Sequence, residues 1–139
     1  MAALDRAVMR RLVVSARSAT LATVTADGRP HLVPIAFALD GERLWSAVDR
    51  KPMRTSDLAR LRNIRARPQV SVLVDHYDED WARLWWVRLD GTATVHAAGH
   101  RPALGLLADR YPQYRQAPPD GPVIEIAIHT WRGWSAAGG

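Results

Sequence analysis

The sequence predicts an antiparallel α+β domain, mainly β, that closes like a barrel and is covered by helices. Three observations carry this reading. Asp-Gly dipeptides separate β-rich runs, helical spacing interrupts those runs, and the later strands carry apolar residues on both faces. Two-sided apolarity is what a closed barrel packed against helices demands, whereas an open, half-solvated sheet alternates.

Residues 3–15 set Leu4, Val8, Leu12 and Ser15 at intervals of three or four, the period of an amphipathic covering helix. The run SATLATVTADGRPHLVPIAFALDGERLWSAV then splits into three strands at Asp27-Gly28 and Asp40-Gly41, strong hairpin signals. Pro30 and Pro34 cannot donate to a ladder, so the second of these strands is expected at an edge, or irregular near its start. From Arg54 to Ala66 the period changes. Leu58, Leu61 and Ile64 are spaced by three, Thr55 and Ser56 are good N-cap types, and Pro68 ends the helix. QVSVLVD follows as a strand, DHYDED as a polar connection, and Trp81 to His96 as a long strand or hairpin arm. Helical spacing returns over 101–111, and a Pro/Gly-rich loop precedes the last strand, VIEIAIHTW.

The 139 residues fit one domain, 1–139, and the composition, 47% apolar and 24% charged, is that of a globular chain. No stretch reaches the roughly 18 apolar residues of a membrane span, and the opening MAALDRAVMRR lacks a secretory apolar core, so a cytoplasmic location is expected. The absence of cysteine excludes a disulfide framework, a thiolate metal site and a cysteine nucleophile. Of the five histidines only His96 and His100 fall close together, with Gly99 between them, and no metal site is expected. Asp78, Glu79 and Asp80 read as a solvated turn, and Ser46 lacks the context of a hydrolase nucleophile.

The charge is concentrated. Residues 50–67 hold seven basic side chains (Arg50, Lys51, Arg54, Arg60, Arg62, Arg65 and Arg67) against Asp57, while the whole chain nets only +5. Lys51 is the single lysine. A strand here runs through a basic turn into a helix N-terminus, where unpaired N–H groups, hydroxyls and cations together suit a phosphate. A solvated basic loop in an arginine-biased chain is the competing reading. Nucleic-acid binding is weaker, because these arginines do not share one stripe and no aromatics interleave with them. Six tryptophans suit a core or an interface, and Trp81 and Trp86 are the better candidates to wall a flat ring.

Read together, ATLATVTADGRPHLVPIAF, KPMRTSDLARLRNIRARPQVSVLVD and WWVRLDGTATV resemble the pyridoxamine 5′-phosphate oxidase-like split β-barrel family over about residues 4–134. More narrowly, they resemble its coenzyme F420-dependent oxidoreductases. The resemblance implies an antiparallel split β-barrel that forms a homodimer, with cofactor at the subunit interface. It implies that Lys51, Arg54, Thr55, Arg60 and Asn63 hold the cofactor phosphate and tail, with Val33 and Pro34 beside the ring and Trp81 near it. Relatives often carry lysine where this chain has Arg60, and the turn from Asp49 to Ser56 is longer than in some of them.

The expected activity is hydride transfer from reduced F420 to an unsaturated or electrophilic small molecule. Flavin mononucleotide (FMN) is the alternative cofactor. Seven cations exceed what one phosphate needs, which favours the carboxylate-rich tail of F420. No single catalytic side chain is expected, since the cofactor supplies the chemistry. A non-catalytic cofactor carrier remains the other reading.

Overall fold

The computed structural model describes the backbone of residues 2–48 and 55–137 and the side chains of 3–48 and 59–137. Its elements are β1 (Ala2–Ala3), α1 (Arg6–Ser15), β2 (Ala19–Val24), β3 (Pro30–Ile35), β4 (Ala38–Asp40), β5 (Arg43–Ala47), α2 (Thr55–Ala66), β6 (Gln69–His76), β7 (Trp85–His96), α3 (Arg101–Arg110), α4 (Pro112–Gln116) and β8 (Val123–Ser135). All pairings are antiparallel, and the ladder runs β3-β2-β6-β7-β8-β5-β4, with β1 alongside β8.

Chain connectivity shows why this ladder curls. The strands at its two ends, β3 and β4, are separated in sequence only by Ala36 and Phe37. Three Cα steps reach about 11 Å, whereas six flat inter-strand spacings would hold the ends roughly 29 Å apart. The sheet must therefore close on itself. Leu21, Phe37, Leu44, Val72, Val87, Leu89, Ile124 and Ile126 fill the interior and are all but inaccessible.

The run read as one strand, LVPIAFAL, is thus two, β3 and β4, with a break at Ala36–Phe37. The Phe37 N–H leaves the ladder and donates to the Tyr111 hydroxyl at 3.0 Å, and that hydroxyl also lies 3.0 Å from the carbonyl oxygens of Phe37 and Arg17. Beyond β4, Gly41 takes φ 59° as the first central residue of a two-residue hairpin, a conformation that glycine adopts without strain. The proline-bearing strand β3 is indeed an edge, bonded only to β2.

The first helix starts at Arg6, three residues later than its periodicity suggested. Asp5 caps it by accepting from Val8 N–H at 2.9 Å, and Ala2–Ala3 pair instead with Trp134 and Ser135. The buried stripe is accordingly Met9 and Val13, with Val8 and Leu12 partly covered and Ser15 exposed. Leu4 and Met9 occupy the N′ and N4 positions of a hydrophobic staple and belong to the same core cluster. At the turn between β4 and β5, Glu42 accepts from Arg6 (2.6 Å), Arg10 (2.5 Å) and the Trp131 indole (3.0 Å), which fastens α1 to the barrel.

Within the run from Trp81 to His96, Trp85–His96 forms one strand, β7, preceded by a 3-10 turn at Trp81–Arg83. Its Asp90-Gly91 step is a bulge. Asp90 pairs with Thr130 and Gly91 with Ile128, which leaves His129 as the extra residue of β8.

Candidate functional site

Six of the residues expected to hold a cofactor border or occupy α2 in the sequence. Arg50, Lys51 and Arg54 lie outside the described residues, as does the side chain of Thr55, whose backbone opens the helix. Leu61 and Ile64 anchor α2 in the core, and the spacing of three carries Arg60 and Asn63 inward with them. Arg60 is 8% exposed and Asn63 3%. Asn63 Nδ2 donates to the Thr23 Oγ1 at 3.1 Å, so its amide is committed to a buried hydroxyl of β2. Arg67 donates to the carbonyls of Thr25 (3.1 Å) and Ala26 (2.9 Å), while Arg62 and Arg65 face solvent.

Asn63→Leu is expected to cost about 1–3 kcal/mol, because it strips a buried hydroxyl of its donor. Pairing it with Thr23→Val should restore most of the loss. Thermal melts of the two single variants and the double variant would read this out, and equal melting of all three with the native chain would contradict it.

Of the other expected residues, Pro34 and Trp86 lie on the outer face of the barrel. Side chains alternate across a strand, so Val33 and Pro34 point to opposite faces: Val33 sits in the core and Pro34 is exposed. Register places Pro34, Thr20, Leu73, Arg88 and Arg132 in one row across β3, β2, β6, β7 and β8. Asp75, Trp86 and Trp134 form the next row. A cleft of about 400 Å³ opens there, lined mainly by Leu73, His76, Tyr77, Trp85, Trp86 and Trp134. Trp134 contributes an indole N–H that is buried and without a hydrogen-bond partner. Trp81, 69% exposed in the 3-10 turn, does not line this cleft.

Leu73 and Tyr77 escaped the sequence reading. Their signal was present: in VSVLVDHY the valines take the inward register, which leaves an apolar leucine pointing outward.

The structure therefore groups Arg60 with Asn63 on α2; Pro34 shares the outer face with Trp86 but lies three strands from it, outside the cleft, and Trp86 is kept apart from the α2 pair. The chain leaves β5 beside Val123, the partner of His96, and α2 hands over to β6 at Gln69, opposite Thr92. Trp86 lies opposite Asp75, six residues along β6, or about 20 Å at strand rise.

Acidic groups near these faces have structural partners. Asp78 accepts from Asp80 N–H (2.9 Å), and Asp80 accepts from Ala82 N–H (3.1 Å), so the acidic loop builds the 3-10 turn. Glu125, 15% exposed, is bonded by His96 at 2.7 Å and by Arg43. Burial alone would raise its pKa, but these two partners together hold it below the usual carboxylate range. A depressed carboxylate contributes stability above its unfolded pKa, and that contribution is lost as pH falls through the folded value. Glu125→Gln should therefore cost about 1.5–3 kcal/mol at neutral pH. The difference from the native chain should begin to shrink as pH falls through the unfolded carboxylate value and vanish only below the lowered folded one, where both states are protonated. Urea unfolding across pH checks this; a constant difference would refute it. Among the described residues no three His, Asp or Glu converge as a metal site.

An antiparallel barrel that closes through β3 and β4, plugged by a basic helix and carrying an aromatic outer cleft, has the architecture of a split barrel. Residues 6–135 match the family model described as pyridoxamine 5′-phosphate oxidase, and the chain belongs to that family. Comparison with curated proteins finds no match. Among solved structures, the fold is similar to that of a conserved hypothetical protein from Mycobacterium tuberculosis (24% identity, TM-score 0.76, covering 96% of this chain and 86% of that one). It is similar to a FAD-binding protein from Mesorhizobium loti (22%, 0.69, 95% and 95%). It is also similar to the heme storage protein from Vibrio cholerae (16%, 0.71, 94% and 93%).

Proposed function

We propose that the protein is an F420-dependent oxidoreductase that reduces an unsaturated or electrophilic small molecule, working as a homodimer with cofactor at the subunit interface. The observation that carries this reading is the pairing of a strongly basic segment entering α2 with an aromatic cleft on the outer face of the barrel. Lys51, Arg54 and the α2 N-terminus would hold the phosphate, with Arg60 behind them. The cleft suits a flat ring: its volume lies in the range of small-molecule sites, its walls are apolar, and Arg88, Asp75 and His76 stand at its rim. Bound deazaflavin supplies hydride chemistry; the chain's residues bind, orient and exclude water.

The separation of α2 from Trp86 along β6 supports a shared site, with α2 from one copy and the aromatic cleft from the other. Exposed Leu32, Leu73 and Trp86 on that face suit burial against a second copy. FMN is the alternative cofactor, favoured by the FAD-binding neighbour; the heme storage neighbour marks a carrier role on the same fold. Titration with F420, FMN and heme, followed by fluorescence and absorbance, tests the proposal. The expected result is saturable F420 binding at one site per chain, tighter than FMN. Binding of heme alone would replace it with the carrier reading.

A further inference from the structure

We infer that the stack Trp45–His100–His96 is a proton-operated fastener that holds α3 on the barrel when the two imidazoles are neutral and lets it go when both are charged. Gly99 between the two histidines breaks any common helical face. The fold nevertheless brings their rings to 4.4 Å, with His100 5.0 Å and His96 5.9 Å from the Trp45 ring. This stack lies beside the seat of α3 on β4 and β5, with Trp45 on β5 and His96 at the end of β7. Beneath the helix is a satellite cluster separate from the main core, built of Trp45, Ala103 and Val123 with Ala47 and Leu106 at its edge. So small a cluster leaves the docking of α3 sensitive to what happens in the stack.

Three features oppose charge on both rings. Two imidazolium ions at this separation repel through a largely buried space. His100 is the N-cap of α3 and makes no side-chain cap bond, so a proton there would add to the positive end of the helix dipole. Its Nδ1 is buried without a partner, and an imidazolium must donate from both nitrogens. Of the charged groups on neighbouring elements, Glu125 of β8 bonds His96 and is itself paired with Arg43 of β5; Arg101 follows His100, and Asp40 of β4 is exposed. Glu125 thus compensates charge on His96, and the cost falls on the second ring. At the far end of α3, Arg115 bonds the carbonyls of Ala108 and Asp109, and Tyr111 holds Phe37, the residue at which the barrel closes. Release of α3 therefore loosens the closing seam.

Hydrogen exchange of residues 101–110, corrected for intrinsic rates and read against the β7 amides, tests this at about pH 7.5 and 5.5, which span the range where histidine changes charge. In the native chain, protection of α3 is expected to fall by roughly tenfold or more on acidification while β7 holds. His100→Asn, which stays neutral and supplies a good N-cap, should show the same protection at both pH values; His96→Gln provides the same reading should His100→Asn not fold. Unchanged α3 protection in the native chain, or an equal loss in the neutral variants, would overturn the inference.

Discussion

Gly91→Val is expected to cost about 3 kcal/mol or more and to leave little native protein at moderate urea, because a side chain there has nowhere to go. A Cβ built on Gly91 would fall 2.3 Å from the Ala127 carbonyl oxygen and 2.9 Å from Ile126 Cγ2. The first of these is backbone in the middle of the β7–β8 ladder and cannot swing aside as a side-chain tip would. The bulge that places His129 as the unpaired residue of β8 brings the two strands this close. Gly105→Ala is the matched control. Its Cβ meets nothing within 4 Å, so the change should stabilise α3 by about 0.5–1 kcal/mol through helix propensity alone. Urea unfolding of both variants decides the matter; a Gly91→Val protein as stable as the native chain would mean that the register across Asp90 and Gly91 is wrong.

The double variant Lys51→Ala/Arg54→Ala is expected to weaken cofactor binding by more than a hundredfold and to leave thermal stability nearly untouched. Each lost charge-assisted contact to a phosphate should cost about 1.5–3 kcal/mol, and two neighbours need not add exactly. Native affinity should also fall with added salt, and the variant should lose much of that dependence, since salt screens the attraction between cation and phosphate. Fluorescence titration with F420 and with FMN at two salt concentrations reads both effects. Affinity unchanged within about 0.5 kcal/mol would remove these two side chains from the site.

Much of the fold was legible because its signals are local. The Asp-Gly turns, the valine alternation in β6 and the threefold spacing of Leu61 and Ile64 each fix an element from a few neighbouring residues. The errors came where distant residues decide. A hydroxyl from Tyr111 draws Phe37 out of the ladder and breaks one apparent strand into two. Pairing of Ala2 and Ala3 with Ser135 and Trp134 delays α1 to its cap at Asp5 and shifts its buried stripe to Met9 and Val13.

The candidate site was less legible for the same reason. Alternation along β3 separates Val33 from Pro34, and the length of β6 separates Asn63 from Trp86, and neither fact follows from residue type. The commitment of Asn63 to Thr23, 40 positions earlier in the chain, is equally invisible in sequence.

The proposed oxidoreductase needs an anionic redox cofactor gripped where the chain enters α2. A crystal structure of the protein grown with F420 tests this most directly. The phosphodiester is expected against Lys51, Arg54 and the backbone opening α2, with the ring against aromatic side chains of a second copy. Ligand bound elsewhere, with Lys51 and Arg54 turned to solvent, would contradict it.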